Sequence, residues 1–271
     1  MRWVLGFVVG VAAFACARPG LAQVNAEALR ANSLSPGWSG GVDLSLALSR
    51  GNIELFDPGG AGRIQYQTIH PRSAIAPGPL PWIYQRTFIT TSGRFAERTG
   101  VPQVSQGFLF GRWTALWHPR VGHDMFVQYQ FNEFLRLRRR SVFGAGVRVE
   151  IVHHPMVLLA AGTGAMLEYE RIDVAPGAND APTSIAVRSA SYVTVRLSLF
   201  KSTLFVQNTL FVQPRFDQPD DIRVLDELEL LAKVSDFLAL GTTLSTLYDS
   251  APPTGVVTTD LRLASTVRLT F

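Results

Sequence analysis

A transmembrane antiparallel β-barrel of twelve strands is the fold predicted by three observations. Apolar and polar residues alternate at period two, the alternating runs are about 11–15 residues long, and the chain ends on an aromatic, Phe271, that closes one such run. Period two marks strands with two unlike faces. Run length separates the candidates: a tilted spanning strand needs at least about 9–11 residues, whereas a soluble sandwich uses short strands with turns every ~8–12 residues. Hydrophobic residues are 47% of the chain and charged residues 17%, which excludes disorder. After the first fifteen residues no apolar run reaches the roughly 18 of a spanning helix, so the apolar content must lie on strands.

The elements follow in order. Met1-Arg2, the apolar stretch Trp3 to Ala15 and the small residues before Gln23 read as a signal peptide over 1–22. Cys16, the one cysteine, sits where a lipidated residue would, but Ala13-Phe14-Ala15 is a poor approach to it. Cleavage after Ala22 leaves no thiol chemistry. A periplasmic lead-in, 23–37, carries a helix-like stretch capped by Asn25, and the barrel occupies 38–271. In its first strand Val42, Leu44, Leu46 and Leu48 oppose Gly41, Asp43, Ser45 and Ser49; later, Met125, Val127, Tyr129 and Phe131 oppose Gln128, Gln130 and Asn132. Turn signals divide the chain into strands at 38–49, 53–69, 82–92, 103–117, 124–137, 141–152, 156–171, 184–199, 203–213, 222–234, 237–248 and 257–271. An even count puts both termini in the periplasm. The breaks at 93–102, 175–182, 214–221 and 249–255 then lie outside the cell, and the tight ones at 153–155, 200–202 and 235–236 lie in the periplasm; the long 70–81 connection and the tight 50–52 turn depart from that pattern. In hydrocarbon every backbone N–H and C=O must be paired, so the strands must close. Leu269 and Phe271 form the expected outer-membrane assembly signal, which implies barrel assembly machinery and periplasmic chaperones as partners during biogenesis.

Trp38-Ser39-Gly40-Gly41 to Ser49-Arg50-Gly51-Asn52, Arg138-Arg139-Arg140 with Gly144-Ala145-Gly146, Gly162-Thr163-Gly164 to Tyr169, and Tyr248-Asp249-Ser250-Ala251-Pro252-Pro253 followed by Thr259-Asp260-Leu261 and Phe271 carry a resemblance over about 38–271. The chain resembles the family catalogued as domain of unknown function 481, the salt-induced outer-membrane proteins. Asp57-Pro58-Gly59-Gly60 departs from that family's second strand. The resemblance implies a barrel and supplies no activity.

Chemistry is tested class by class. Lipid-modifying barrels pair a histidine with a serine two residues on; none of His70, His118, His123, His153 and His154 has one, and all five read as turn residues. His153 and His154 are adjacent, so on a strand they face opposite ways and do not share a metal. The expectation is a protein that is not an enzyme and holds no cofactor or metal. Alternation places Arg112, Gln128, Gln130, Arg148, Glu150, Arg188, Arg196, Glu227, Glu229, Arg262 and Arg268 in the lumen, with Asp43, Arg63, Gln65, Gln67, Asn132, Glu168, Arg223, Lys233 and Asp260. The small inward residues Ala239, Gly241, Thr243 and Ser245 let Glu227 and Glu229 reach toward Arg262 and Arg268. These side chains make either a narrow channel for small or anionic solutes or a self-satisfied network that shuts the interior. In the second case the barrel is a structural, stress-adaptation or surface-binding protein. Arg136, Arg138, Arg139 and Arg140 read as an external turn that would contact lipopolysaccharide phosphates. Trp82, Trp113 and Trp117 suit an aromatic girdle. The 25 basic residues, 23 of them Arg, face 21 acidic ones, an excess too small and too spread for nucleic acid. A monomer in the bacterial outer membrane is expected.

Overall fold

The computed structural model describes residues 36–49, 55–70, 83–98, 101–133 and 136–271; the expected signal peptide with Cys16, nearly all of the lead-in, Trp82 and most of the 70–81 connection lie outside the described residues. Among those described, the strands are β1 (Gly37–Ser49), β2 (Leu55–Ile69), β3 (Ile83–Arg98), β4 (Val101–His118), β5 (Val121–Asn132), β6 (Leu137–His153), β7 (Val157–Ile172), β8 (Thr183–Ser189), β9 (Ser191–Leu199), β10 (Leu204–Pro214), β11 (Ile222–Lys233), β12 (Leu238–Asp249) and β13 (Thr259–Thr270). Both β8 and β9 pair with β7, so they are two halves of one wall strand broken at Ala190, and the wall has twelve positions. All neighbours are antiparallel. The circuit closes where β1 pairs with β13.

Burial is inverted relative to a soluble protein, as a membrane barrel requires. On β5 Met125, Val127 and Tyr129 are exposed while Asp124, Gln128, Gln130 and Asn132 are buried. The same holds on β1, where Val42 and Leu44 face out and Asp43 in, and on β13, where Leu261, Leu263, Val267 and Leu269 face out and Arg268 in. Exposed Trp38, Trp117, Phe200, Phe237 and Phe271 gather at the end that carries the start of β1 and the end of β13. That end corresponds to the periplasmic side of the expected topology.

The strands depart from expectation in four places. Strands β3 and β4 run on to Arg98 and from Val101, paired to their ends past a bulge at Arg94/Phe95, so most of the expected 93–102 loop is strand. The turn expected at 138–141 lies earlier: Arg136 takes a left-handed φ of 58° and β6 has begun by Leu137. At Asp57-Pro58 the β1–β2 ladder is unbroken, but the β2–β3 ladder skips from Phe56 to Gly59, as expected where proline lacks a donor. Two histidines read as turn residues belong to strands: His123 on β5 lies edge-on to Trp113 at 4.8 Å and beside Trp117 at 5.5 Å, and His153 ends β6 with Nδ1 2.9 Å from Glu150. His118 also ends β4, but its Nδ1 accepts the Arg120 N–H of the following tight turn.

The closing seam ends on the C-terminal aromatic. Gly40 and Phe271 exchange backbone hydrogen bonds of 3.0 and 3.1 Å, and the ring packs against the glycine: a Cβ there would stand 2.5 Å from Phe271 Cζ and 2.9 Å from the Arg63 carbonyl. Gly40→Val should therefore destabilise the barrel by about 1–3 kcal/mol through overpacking at the seam. The measurement is the temperature at which the compact electrophoretic band is lost on heating, and an unchanged temperature would show that the ring moves aside at no cost.

Candidate functional site

Among the described residues the lumen is where the fold concentrates polar and charged side chains, because every inward position faces the same narrow space. Its charged side chains fall into three tiers. Toward the long loops, Glu168 on β7 takes arginines from three strands. Arg140 on β6 donates from Nε at 2.6 Å and from a second, closer nitrogen; Arg188 on β8 and Arg223 on β11 reach its other oxygen at 3.2 and 2.9 Å. Arg223 continues to Glu170 at 3.1 Å and to Asp249 on β12 at 2.8 Å, and Arg188 holds Asp221 through two nitrogens at 2.9 and 3.0 Å. In mid-barrel Arg112 pairs with Asp124, and the Tyr192 hydroxyl joins them, accepting from Arg112 at 2.7 Å and donating to Asp124 at 2.7 Å; Arg148 also donates to it at 2.9 Å. On the terminus side Arg268 grips Asp43 with two bonds of 2.9 and 3.0 Å and Glu229 with a third of 2.7 Å.

Such pairing is obligatory. Arg148, Glu168 and Arg188 are at most 2% exposed, and a charge buried to that degree costs several kcal/mol unless it is paired. Arginine suits the task because its planar fork can serve two or three carboxylates at once, as Arg223 and Arg268 do.

Of the expected lumen residues, Arg112, Gln128, Gln130, Arg148, Glu150, Arg188, Glu227, Glu229 and Arg268 are buried inward, and Arg196 and Arg262 are half-buried. The expected reach of Glu229 to Arg268 is present; Glu227 accepts from Ser245 at 3.3 Å. Lys233 is corrected: at the end of β11 it turns out to solvent and pairs with Asp236 at 2.8 Å. The arginine cluster divides. Arg138 is exposed and bound to Asp173 at 2.8 Å, and Arg139 is exposed with its guanidinium 5.0 Å above the Tyr169 ring. Arg140 is 4% exposed and belongs to the Glu168 tier, so it is not an external contact. The physical reason is the early start of β6, which puts 138–141 on a strand and alternates their side chains. In the 215–221 loop the hydrogen bond from Arg215 holds the Asp217 carboxyl below its usual pKa.

Not foreseen was an apolar strip inside the lumen. Phe88, Phe108 and Phe110 are buried inward and pack with Phe126. The signal lay in the parity that picks out Arg112, Gln128 and Gln130: Phe110 and Phe126 share it. Phe110 and Phe126 of the strip border a cavity of about 50 Å³ lined also by Arg112, Asp124, Gln128, Tyr192, Phe211 and Gln213. A second cavity of about 60 Å³ lies under the 250–258 loop among Gln130, Arg140, Glu170, Arg223, Asp249 and Asp260. Gln128 of the first and Gln130 of the second are joined by a 2.7 Å hydrogen bond. Thr254 of that loop donates twice, at 3.0 Å, to Asp180 of the 173–182 loop.

Replacing Glu168 by Gln keeps its shape and leaves three arginines short of a counter-charge. The change should cost about 3–5 kcal/mol in urea unfolding of the refolded barrel, against at most about 1 kcal/mol for Arg138→Gln in an exposed pair. Equal effects of the two variants would show that the tier does not support the fold.

Comparison with solved structures gives distant likenesses to other barrels. The NanC porin is 6% identical at a TM-score of 0.47, with 86% of this chain and 98% of that one covered. The KdgM porin is 9% identical at 0.43, covering 85% and 99%. The translocator domain of the autotransporter NalP from Neisseria meningitidis is 11% identical at 0.40, covering 90% and 91%. At these values no residue role passes from them to this chain. No curated protein matches the chain. The family described as "Protein of unknown function, DUF481" matches residues 82–271, in agreement with the resemblance read from the sequence motifs. The chain thus belongs to the DUF481 family.

Proposed function

We propose that this is a non-enzymatic outer-membrane barrel, exported through its signal peptide, whose lumen is shut at rest by its own ion pairs and is not a standing open pore. The observation that carries this reading is Glu168: 2% exposed in the loop-side tier, it ties β6, β8 and β11 to β7, and Arg223 extends the tie to β12. A hydrated channel would leave such groups wet and separately solvated. Closure fits a structural or stress-adaptation role. Planar-bilayer recording of the refolded mature chain tests it. Silence is expected for the unaltered barrel and discrete steps for Arg223→Ala, which removes the side chain bridging β7 and β12. Steady conductance of the unaltered barrel would overturn the reading in favour of a narrow solute passage, which the two cavities meeting at Gln128 and Gln130 support as the second possibility.

The rim carries a separate expectation about lipopolysaccharide. Arg139 and Arg171 are direct cross-strand partners, both exposed on the outer face near the long-loop end, and like charges so placed repel unless an anion lies between them. A lipopolysaccharide phosphate would accept from both guanidinium groups. Lipopolysaccharide added to the micelles should raise the unfolding temperature of the native barrel more than that of Arg171→Gln. An equal rise in both would remove the pair from lipid binding.

A further inference from the structure

Parity sends the carboxylates of this barrel inward, and one strand pair breaks the rule. On β11 Leu225, Glu227 and Glu229 are buried inward, so Asp226 between them points to the lipid. On β10 Gln207 and Thr209 are buried inward, and Asn208 points out in the same way. The two meet: Asn208 Nδ2 donates to Asp226 Oδ1 at 2.7 Å and to the Glu227 carbonyl at 3.3 Å. Among the described side chains Asp226 is the one carboxylate at an outward strand position, and its partner there is this neutral amide and no cation.

The surroundings are apolar. In the ladder Asp226 lies between Leu210 on β10 and Thr246 on β12, and Val224, Leu228, Leu244 and Leu261 are the outward positions around them. Hydrocarbon offers a carboxylate no donor, so such a group is costly unless something outside the strand supplies one. The outward arginines Arg139 and Arg171 are on β6 and β7, with β9 and β10 in between, and do not reach it.

Two considerations select the occupant. Surfaces already in hydrocarbon gain no hydrophobic attraction for each other, so barrels associate through hydrogen bonds and small polar side chains, which this face offers and an acyl chain does not. The patch is also complementary to itself. Asp226 brings acceptor lone pairs, and the Thr246 hydroxyl, directly across the ladder, brings a donor. Two copies inserted the same way are related by an axis along the membrane normal. An axis between Asp226 and Thr246 sets Thr246 of each barrel opposite Asp226 of the other, the reciprocal contact of an isologous pair. Thr242 and Ser265, cross-strand partners on the same outward face, continue the polar stripe.

We propose that this barrel pairs with a second copy of itself through its β10–β12 face, with Asp226 and Thr246 hydrogen-bonded reciprocally across the two-fold axis. The pairing goes beyond the closed-lumen reading and does not depend on it, because the contact lies outside the wall. Association and conductance are separate readouts.

The test is sedimentation equilibrium of the refolded mature chain in density-matched micelles, joined to cross-linking in liposomes. The native barrel should associate reversibly to two copies per particle. Asp226→Leu and Thr246→Val should each keep the compact electrophoretic band and weaken association by at least about tenfold. Residues 23–271 hold no cysteine, so introduced thiols report proximity without background. A short bis-maleimide should link Leu228→Cys barrels, where the thiol lies beside Asp226, and leave Val147→Cys barrels, with an exposed thiol on β6, single. Three results would each overturn the proposal: a monomer at every concentration, association of Asp226→Leu as tight as that of the native chain, or equal cross-linking at the two positions. A monomer that lipopolysaccharide protects against thermal unfolding, with the protection lost in Asp226→Leu, would overturn it in favour of a lipid donor at the carboxylate.

Discussion

Backbone pairing in hydrocarbon is the constraint from which the rest of this molecule follows. A strand in a bilayer has no water to satisfy an unpaired edge, so the sheet must meet itself. Here it does so along β1 and β13, from Gly41 paired with Thr270 to Leu46 paired with Ser265. Closure then sorts the side chains. One parity faces lipid and the other a space shared by twelve wall positions, and the polar parity has nowhere to go but inward.

An inward polar parity creates an electrostatic problem that the sequence solves with arginine. A lysine would place a compact charge on one carboxylate; a guanidinium spans several. Arg268 joins β13 to β1 through Asp43 and to β11 through Glu229, and so braces the seam from within at the place where the circuit closes. Arg188 does the same where the wall strand is broken: at Ala190 the β8 half loses regular pairing with β10, retaining an isolated bridge at Arg188 and Arg215, and the Arg188 side chain reaches the Gln213 carbonyl and Asp221. The weakest stretch of backbone ladder is thereby covered by charge-assisted bonds.

Most of this was legible from the sequence because a barrel obeys one rule, parity, and parity survives errors of a few residues in strand ends. The inward assignments from Asp43 to Arg268 depend on alternation alone. What failed depended on where a strand begins. Arg140 looked external because Arg138 to Ser141 resembles a polar turn, yet the left-handed residue is Arg136, and four residues of displacement move one arginine from the surface to a buried ion pair. Lys233 had the right parity but sits where β11 ends, so its long side chain follows water. The phenylalanine strip was hidden for a different reason: reading inward faces as polar discards the apolar residues that share their parity, and Phe126 between Asp124 and Gln128 is one of them.

The same lumen therefore holds two kinds of side chain, fixed in different ways. The ion-pair tiers are stiff, because separating Arg140 or Arg223 from Glu168 exposes charge to a medium that stabilises it poorly. The aromatic strip is held by shape, because Gly144 and Gly162 seat the Phe126 and Tyr192 rings so closely that a Cβ at either would collide. Charge braces the barrel toward both ends and, through Arg112, Asp124 and Tyr192, in its middle, and the rings pack into the space the ion pairs leave.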